Sequence, residues 1–148
     1  MPAKTNGGFL ISKIKQIQGR VFEKLLMEYE IDQFNGAQGR ILFVLWGKDN
    51  VPISEISEQT GLAKTSLTSM LDRLEASGHI QRILNDSDRR TVRIILTKAA
   101  KNLKSQYNNV SACMNEIFYQ GFNNKEIITF EKNLERILNN LITKENQK

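Results

Sequence analysis

Two adjacent arginines, Arg89 and Arg90, stand in the stretch NDSDRRTVRIILT, Asn85 to Thr97. Asp88 precedes Arg90 by two residues, a spacing that suits a charge-assisted bond holding the guanidinium in one orientation. Upstream, Thr65, Ser66, Thr68 and Ser69 put short hydroxyls on a helix-forming run, with Lys64 before them and Arg73 after. A hydroxyl both donates and accepts, whereas guanidinium and ammonium groups only donate. This set suits anionic oxygens and flat polar edges. Four such residues together in a helix interior are a poor propensity choice for a helix that serves structure alone.

Charge places these groups in context. The chain has 148 residues and a net charge of +5. Residues 1–78 hold nine basic and nine acidic side chains, and residues 105–148 hold five of each. Residues 79–104 hold Arg82, Arg89, Arg90, Arg93, Lys98, Lys101 and Lys104 against only Asp86 and Asp88, so seven minus two supplies the whole excess. A basic patch on a balanced chain is a footprint for a polyanion, most often nucleic acid. On charge alone, a solvated face with chance clustering fits equally well.

The elements that must carry these residues follow from periodicity. From Phe9 to Ile31 the apolar residues Leu10, Ile14, Ile17, Val21 and Leu25 form a near-heptad helical stripe. A second helix starts at Asn35, an N-cap with Gln38 as its capping-box partner, and buries Ile41, Leu42, Leu45 and Trp46. The run KDNVP ends it, because Pro52 disfavours helix at Val51. A short helix over about Ser54 to Thr60, with Ile53 and Ile56 inward, is separated by Gly61 from another over about Lys64 to Ser77. That second helix turns Leu67, Met70, Leu71 and Leu74 inward, and Gly78 caps it. Two helices about a tight glycine turn are a helix-turn-helix pattern.

HIQRIL and TVRIIL read as strands around the turn NDSDRR, with Val92, Ile94 and Leu96 on one face. A hairpin therefore follows the helix-turn-helix. Thr97 then caps one long helix to about Gln120, and Gly121 breaks it. Asn123 and Glu126 form a capping box for a last helix striped by Ile127, Phe130, Leu134, Ile137 and Leu141. The final TKENQK is expected to fray. The two terminal stripes either pack on each other within one chain or serve a second copy; a dimer is the expectation.

An α-helix fits the major groove of a duplex, and its N-terminal residues reach base edges. Thr65, Ser66, Thr68 and Ser69 are the groove-facing candidates, with Lys64 and Arg73 for phosphates. A loop beside that helix reaches the neighbouring minor groove, whose negative potential attracts arginine. Arg90, held by Asp88, is the minor-groove candidate, and Arg89 a phosphate contact. Alone, the arginine pair would read as an ordinary solvated turn.

ISEISEQTGLAKTSLTSMLDRLEASGHIQR followed by DSDRRTVRIILT resembles the MarR family of winged helix-turn-helix transcriptional regulators. The carriers are Leu74-Glu75-Ala76-Ser77-Gly78, Asp88-Arg89-Arg90 and Leu96-Thr97, in the family's order. The resemblance implies a mainly α fold with a small β-hairpin wing. Residues 35–97 would be the winged helix-turn-helix DNA-binding domain, and residues 1–34 and 98–148 a helical dimerisation region. It implies a homodimer on double-stranded DNA, most often a repressor, and a small aromatic or anionic effector that releases it. Two departures stand out. Redox-sensing members carry their cysteine in the first helix, whereas here Cys113 lies in the fifth, beside a Val110–Met114–Ile117 stripe, and reads as a buried, inert thiol. Ala100 stands where the family often has glycine.

Other classes fit poorly. A metal sensor needs clusters of Cys, His and carboxylates, and this chain has one cysteine and one histidine, His79, read as a surface or half-buried residue. No phosphate-binding glycine loop, H-E-x-x-H or nucleophile elbow is present, so neither an enzyme nor a cofactor is expected. Ser12 and Lys15 match S-x-x-K without its partner motifs. The alternative is a winged-helix protein-interaction module without DNA binding, which would neutralise the wing charges. No apolar run approaches the roughly 18 residues of a membrane span. The N-terminus does not resemble a signal peptide, so a cytoplasmic protein with no membrane partner is expected.

Overall fold

The computed structural model describes residues 1–84 and 91–148. The chain divides into two compact units, Met1–Ala112 and Cys113–Lys148. The first contains α1 (Gly7–Glu28), α2 (Gly36–Gly47), β1 (Val51–Pro52), α3 (Ile53–Thr60), α4 (Lys64–Ala76), β2 (Ile80–Leu84), β3 (Val92–Leu96) and α5 (Lys98–Lys101). Helix α6 (Lys104–Phe118) runs from the first unit into the second, which also holds α7 (Asn124–Glu145). The fold is mainly helical with a small antiparallel sheet, the architecture the sequence pattern implies.

Local chemistry explains most boundaries. Asn35 and Gln38 form the expected capping box at α2, and Asn123 and Glu126 the one at α7. Helix α2 gains a second cap from α1, because the Gly36 N–H donates to Glu23 Oε1 at 2.6 Å. Helix α1 stops at Glu28 rather than continuing to Ile31. Glu30 takes a left-handed φ of 57°, and Ile31 N–H returns to the Leu26 carbonyl at 2.8 Å. Helix α4 ends in the same way. Gly78 adopts φ 81°, its N–H donates to the Glu75 carbonyl, and His79 N–H donates to that of Leu74. This paired closure satisfies the last helical carbonyls and turns the chain into β2.

The sheet has the order β1-β3-β2. Val51 pairs with Ile94, Ile80 with Leu96 and Leu84 with Val92. Strand β1 was not expected, since KDNVP reads only as a helix breaker. Proline lacks a backbone donor, yet it is tolerated at a sheet edge, which is where Pro52 lies. Arg93 holds that edge, donating through Nε to Asn50 Oδ1 at 2.9 Å and through a terminal nitrogen to the Asn50 carbonyl at 2.6 Å.

The single helix expected from Thr97 to Gln120 is two. Thr97 caps only the short α5, its hydroxyl accepting from Ala100 N–H. The chain turns at Asn102 and Leu103 before α6 begins. The cause is a distant side chain: Trp46 Nε1 donates to the Ala100 carbonyl at 3.0 Å. That acceptor also receives Leu103 N–H at 3.1 Å. A side chain inserted into the helical ladder in this way breaks it.

Ile41, Leu42, Leu45, Ile56, Leu67, Leu71, Leu74 and Ile94 form the fully buried centre of the first unit, while Trp46 and Met70 are half-buried. Tyr107 of α6 packs beside Phe22, Phe34, Phe43 and Trp46, with ring centroids 5.1–6.1 Å away. Gly39 lets α2 approach this cluster, for a Cβ there would meet the Tyr107 ring at 3.0 Å. In the second unit, Phe118, Tyr119, Phe122 and Phe130 pack together, and the Tyr119 hydroxyl donates to Glu131 at 2.6 Å. Helix α7 continues to Glu145, so the first half of the segment expected to fray is helical. None of its residues is buried.

The left-handed turn at Gly78 is a testable support. A Cβ there would meet nothing within 4 Å, so any cost of Gly78→Ala is conformational. The substitution is expected to lower stability by about 1–2 kcal/mol, measured by urea unfolding. An unchanged midpoint and slope would show that the turn does not need glycine.

Candidate nucleic-acid interface

Helix α4 is oriented by what it buries. Leu67, Leu71 and Leu74 recur at steps of four and three and have no exposed surface, which fixes the helix rotation. Lys64, Thr65, Ser66, Thr68, Ser69 and Arg73 are consequently all exposed. The structure thus brings together on one outward helix every α4 residue singled out from the sequence. The Thr68 hydroxyl donates to the Lys64 carbonyl at 2.8 Å, which leaves it as an acceptor toward a partner. The hydroxyls of Thr65, Ser66 and Ser69 have no hydrogen bond among the described residues. Ala63 supplies no side-chain cap, so the first-turn N–H groups of α4 face outward beside Lys64, an arrangement favourable to phosphate. A cleft of about 360 Å³ between α3, α4 and the base of β3 is lined by Pro52, Ile53, Lys64, Thr68 and Val92, among others.

Asp88, Arg89 and Arg90 lie outside the described residues, so the expected bond between Asp88 and Arg90 has no geometry here. Their stem is defined: β2 and β3 pair from Ile80–Leu96 to Leu84–Val92.

The basic cluster is less available than its count implies. Arg82 donates to Asp72 at 2.7 Å and to Glu75 at 2.9 Å. Arg93 is taken up by Asn50, and Lys101 lies 3.9 Å from Asp49. Arg82 and Arg93 serve the fold, whereas the Lys101 side chain is 61% exposed. Lys98 and Lys104 remain exposed. The Arg82 arrangement was missed in the sequence, although LDRLEASGHIQR places Asp72 and Glu75 one turn apart on α4, seven residues or more before the arginine. Glu75 is held below the usual carboxylate range by the backbone N–H and side chain of Arg82.

His79 is buried rather than surface-placed or half-buried. The position two residues past the C-cap Ser77 folds back onto the helix in this type of closure, which accounts for the difference. Its Nδ1 lies 2.8 Å from the Ser77 hydroxyl. Cys113 is half-buried rather than buried. Among the described residues no group of three His, Cys, Asp or Glu could hold a metal ion, and no helix is long and apolar enough to cross a membrane.

A helix-turn-helix with an outward polar second helix, followed by a paired strand stem, defines a winged helix-turn-helix protein. Residues 34–92 match the model of the MarR family. Over 88 residues, 60% of its length, this chain is 36% identical to the HTH-type transcriptional regulator TtmR of Methylorubrum extorquens. The chain spans only 44% of that protein's length. A mutant MarR from E. coli complexed with operator DNA has a similar structure, with a TM-score of 0.79 at 25% identity, covering 88% of this chain and 92% of that one. Reduced AbfR of Staphylococcus epidermidis bound to DNA has a TM-score of 0.72 at 27% identity, covering 90% of each chain.

Burial of His79 disfavours the imidazolium and pulls its pKa below the ordinary 6.5. The neutral ring then stabilises the fold fully above the unfolded-state pKa, and that contribution is lost as pH falls through the lowered folded value. The urea midpoint should therefore drop from neutral to mildly acidic pH more in the parent than in His79→Gln. Parallel pH profiles for the two proteins would remove His79 as the cause.

Proposed function

We propose that this chain is a dimeric, cytoplasmic DNA-binding transcriptional regulator, of the repressor type, acting on a pseudo-palindromic operator. The observation that carries the reading is α4: three leucines with no exposed surface turn Thr65, Ser66, Thr68, Ser69, Lys64 and Arg73 outward together. Helix α4 enters the major groove, its hydroxyls meeting base edges and phosphates while Lys64 and Arg73 meet the backbone. The wing carries Arg90 to the minor groove with Asp88 as its anchor, and Arg89 to phosphate. DNA-bound relatives of similar fold support this reading.

Dimerisation is assigned to residues 1–34 and 98–148, leaving 35–97 as the DNA-binding domain. Its support is unpartnered apolar surface: Leu10, Ile14 and Ile17 on α1 and Ile137, Leu138 and Leu141 on α7 are each more than two-fifths exposed. Two such subunits would set half-sites about one helical turn apart. For an effector, a cavity of about 380 Å³ lined by Phe43, Trp46, Val51, Lys48, Glu55 and Lys104, among others, offers aromatic walls and, with Lys48 paired to Glu55, a cation at Lys104. That chemistry suits a small aromatic anion.

Selection of bound duplexes from a random pool tests the function directly. Enrichment of a pseudo-palindrome is expected, with affinity falling steeply as salt rises. Failure to enrich any duplex would leave the protein-interaction module. On the selected operator, Arg90→Ala should cost about 1–3 kcal/mol at fixed salt with the fold retained, and equal affinity would end the wing assignment. The same titration with an aromatic carboxylate present should weaken binding, and no change would remove that effector class.

The dimer has its own test. Truncation after Asn123 should leave monomers or aggregates by light scattering, whereas a soluble dimeric truncation would refute assembly through α7.

A further inference from the structure

We infer that Arg82 is a positioning residue that sets where the wing stands relative to α4. The chain passes from α4 to β2 through the Ser77–Gly78–His79 turn. Arg82, on β2, bonds back across that turn to α4. Its guanidinium donates to Asp72 at 2.7 Å and to Glu75 at 2.9 Å, and one terminal nitrogen lies 3.5 Å from the Thr68 carbonyl. Thr68, Asp72 and Glu75 follow one another at steps of four and three, so they share one face of α4. One side chain thus spans about two turns of the helix. The Arg82 backbone N–H completes the fork by donating to the second Glu75 oxygen at 3.0 Å.

That last bond has a reason in the sheet. Strand β2 lies at an edge, since the order is β1-β3-β2. An edge strand leaves outward N–H groups without a ladder partner. Here α4 provides the acceptor, which joins the backbone of the wing to the helix as well as the side chain. Only a planar guanidinium reaches two carboxylates in this way, and an ammonium on a flexible stem does not. With both carboxylates engaged, the arginine is neutralised locally. Arg82 therefore acts through the wing and makes no phosphate contact of its own. This role rests on the DNA-binding reading only for its second test.

Spin labels at Ser69→Cys and Leu84→Cys, both exposed sites, in a Cys113→Ser background would report the distance between α4 and the end of β2 by pulsed electron resonance. The parent should give a narrow distribution. Arg82→Gln, Arg82→Lys and Asp72→Asn should each broaden it, with helical circular dichroism retained. Parent-like widths in all three would overturn the proposal, and a narrow Arg82→Lys would show that charge suffices without the fork. On the selected operator, Arg82→Gln should bind about tenfold more weakly, the scale of a coupled network contact, with an unchanged slope of log affinity against log salt. A slope smaller by about one would mark Arg82 as a phosphate contact instead and overturn the positioning role. A parent that binds no duplex would refute the regulator while the label distances still decide the role of Arg82.

Discussion

The rotation of α4 about its own axis governs what the molecule presents to a partner. Leu67, Leu71 and Leu74 have no exposed surface, and a helix cannot turn without lifting such residues into water. Fully burying one leucine is worth about 1.5–3 kcal/mol, so three together outweigh any preference of the polar face. Thr65, Ser66, Ser69 and Arg73 point outward because the opposite side has no freedom. The turn at Gly78 then decides where the following strand departs, and Arg82 lashes that strand back to the helix. The presented surface follows from apolar packing and is only trimmed by charge.

A second set of ties joins this region to α2 and α5. The Thr97 hydroxyl accepts Ala100 N–H at the start of α5 and donates to the Gly78 carbonyl at 2.7 Å. Its backbone N–H meets the His79 carbonyl at 3.0 Å. One residue therefore holds the end of α4, the end of β3 and the beginning of α5. On the other side, Asp49 Oδ1 accepts Leu96 N–H at 2.9 Å, and Arg93 clasps Asn50. The loop after α2 and the sheet are thus clamped by polar bonds, while the rings around Tyr107 fill the space between α1, α2 and α6.

Local rules exposed much of this in the sequence. Both capping boxes were legible, because each is decided within four residues. So were the helix-turn-helix and the hairpin stem, whose periodicities change abruptly at Gly61 and Gly78. What stayed hidden depends on residues far apart in the chain. The break between α5 and α6 needs Trp46, more than fifty positions away, and nothing near Ala100 announces it. Strand β1 exists because β3 has a free edge, not because Val51 and Pro52 prefer extension. The charge count found the basic segment but could not tell that Arg82 and Arg93 are spent inside the fold. The candidate site was legible as a helical face, since hydroxyls and leucines alternate at helical spacing, whereas the three wing-tip residues had no such internal check.

Trp46 is the chain's one tryptophan. Its indole is half-buried, hydrogen-bonded to Ala100 and packed beside Tyr107. The junction that redirects the chain from sheet to α6 therefore contains the molecule's own fluorophore. Loosening of that joint would expose the ring to solvent dipoles and move its emission to longer wavelength. Events at the helix break become visible in an unlabelled protein, without background from a second indole.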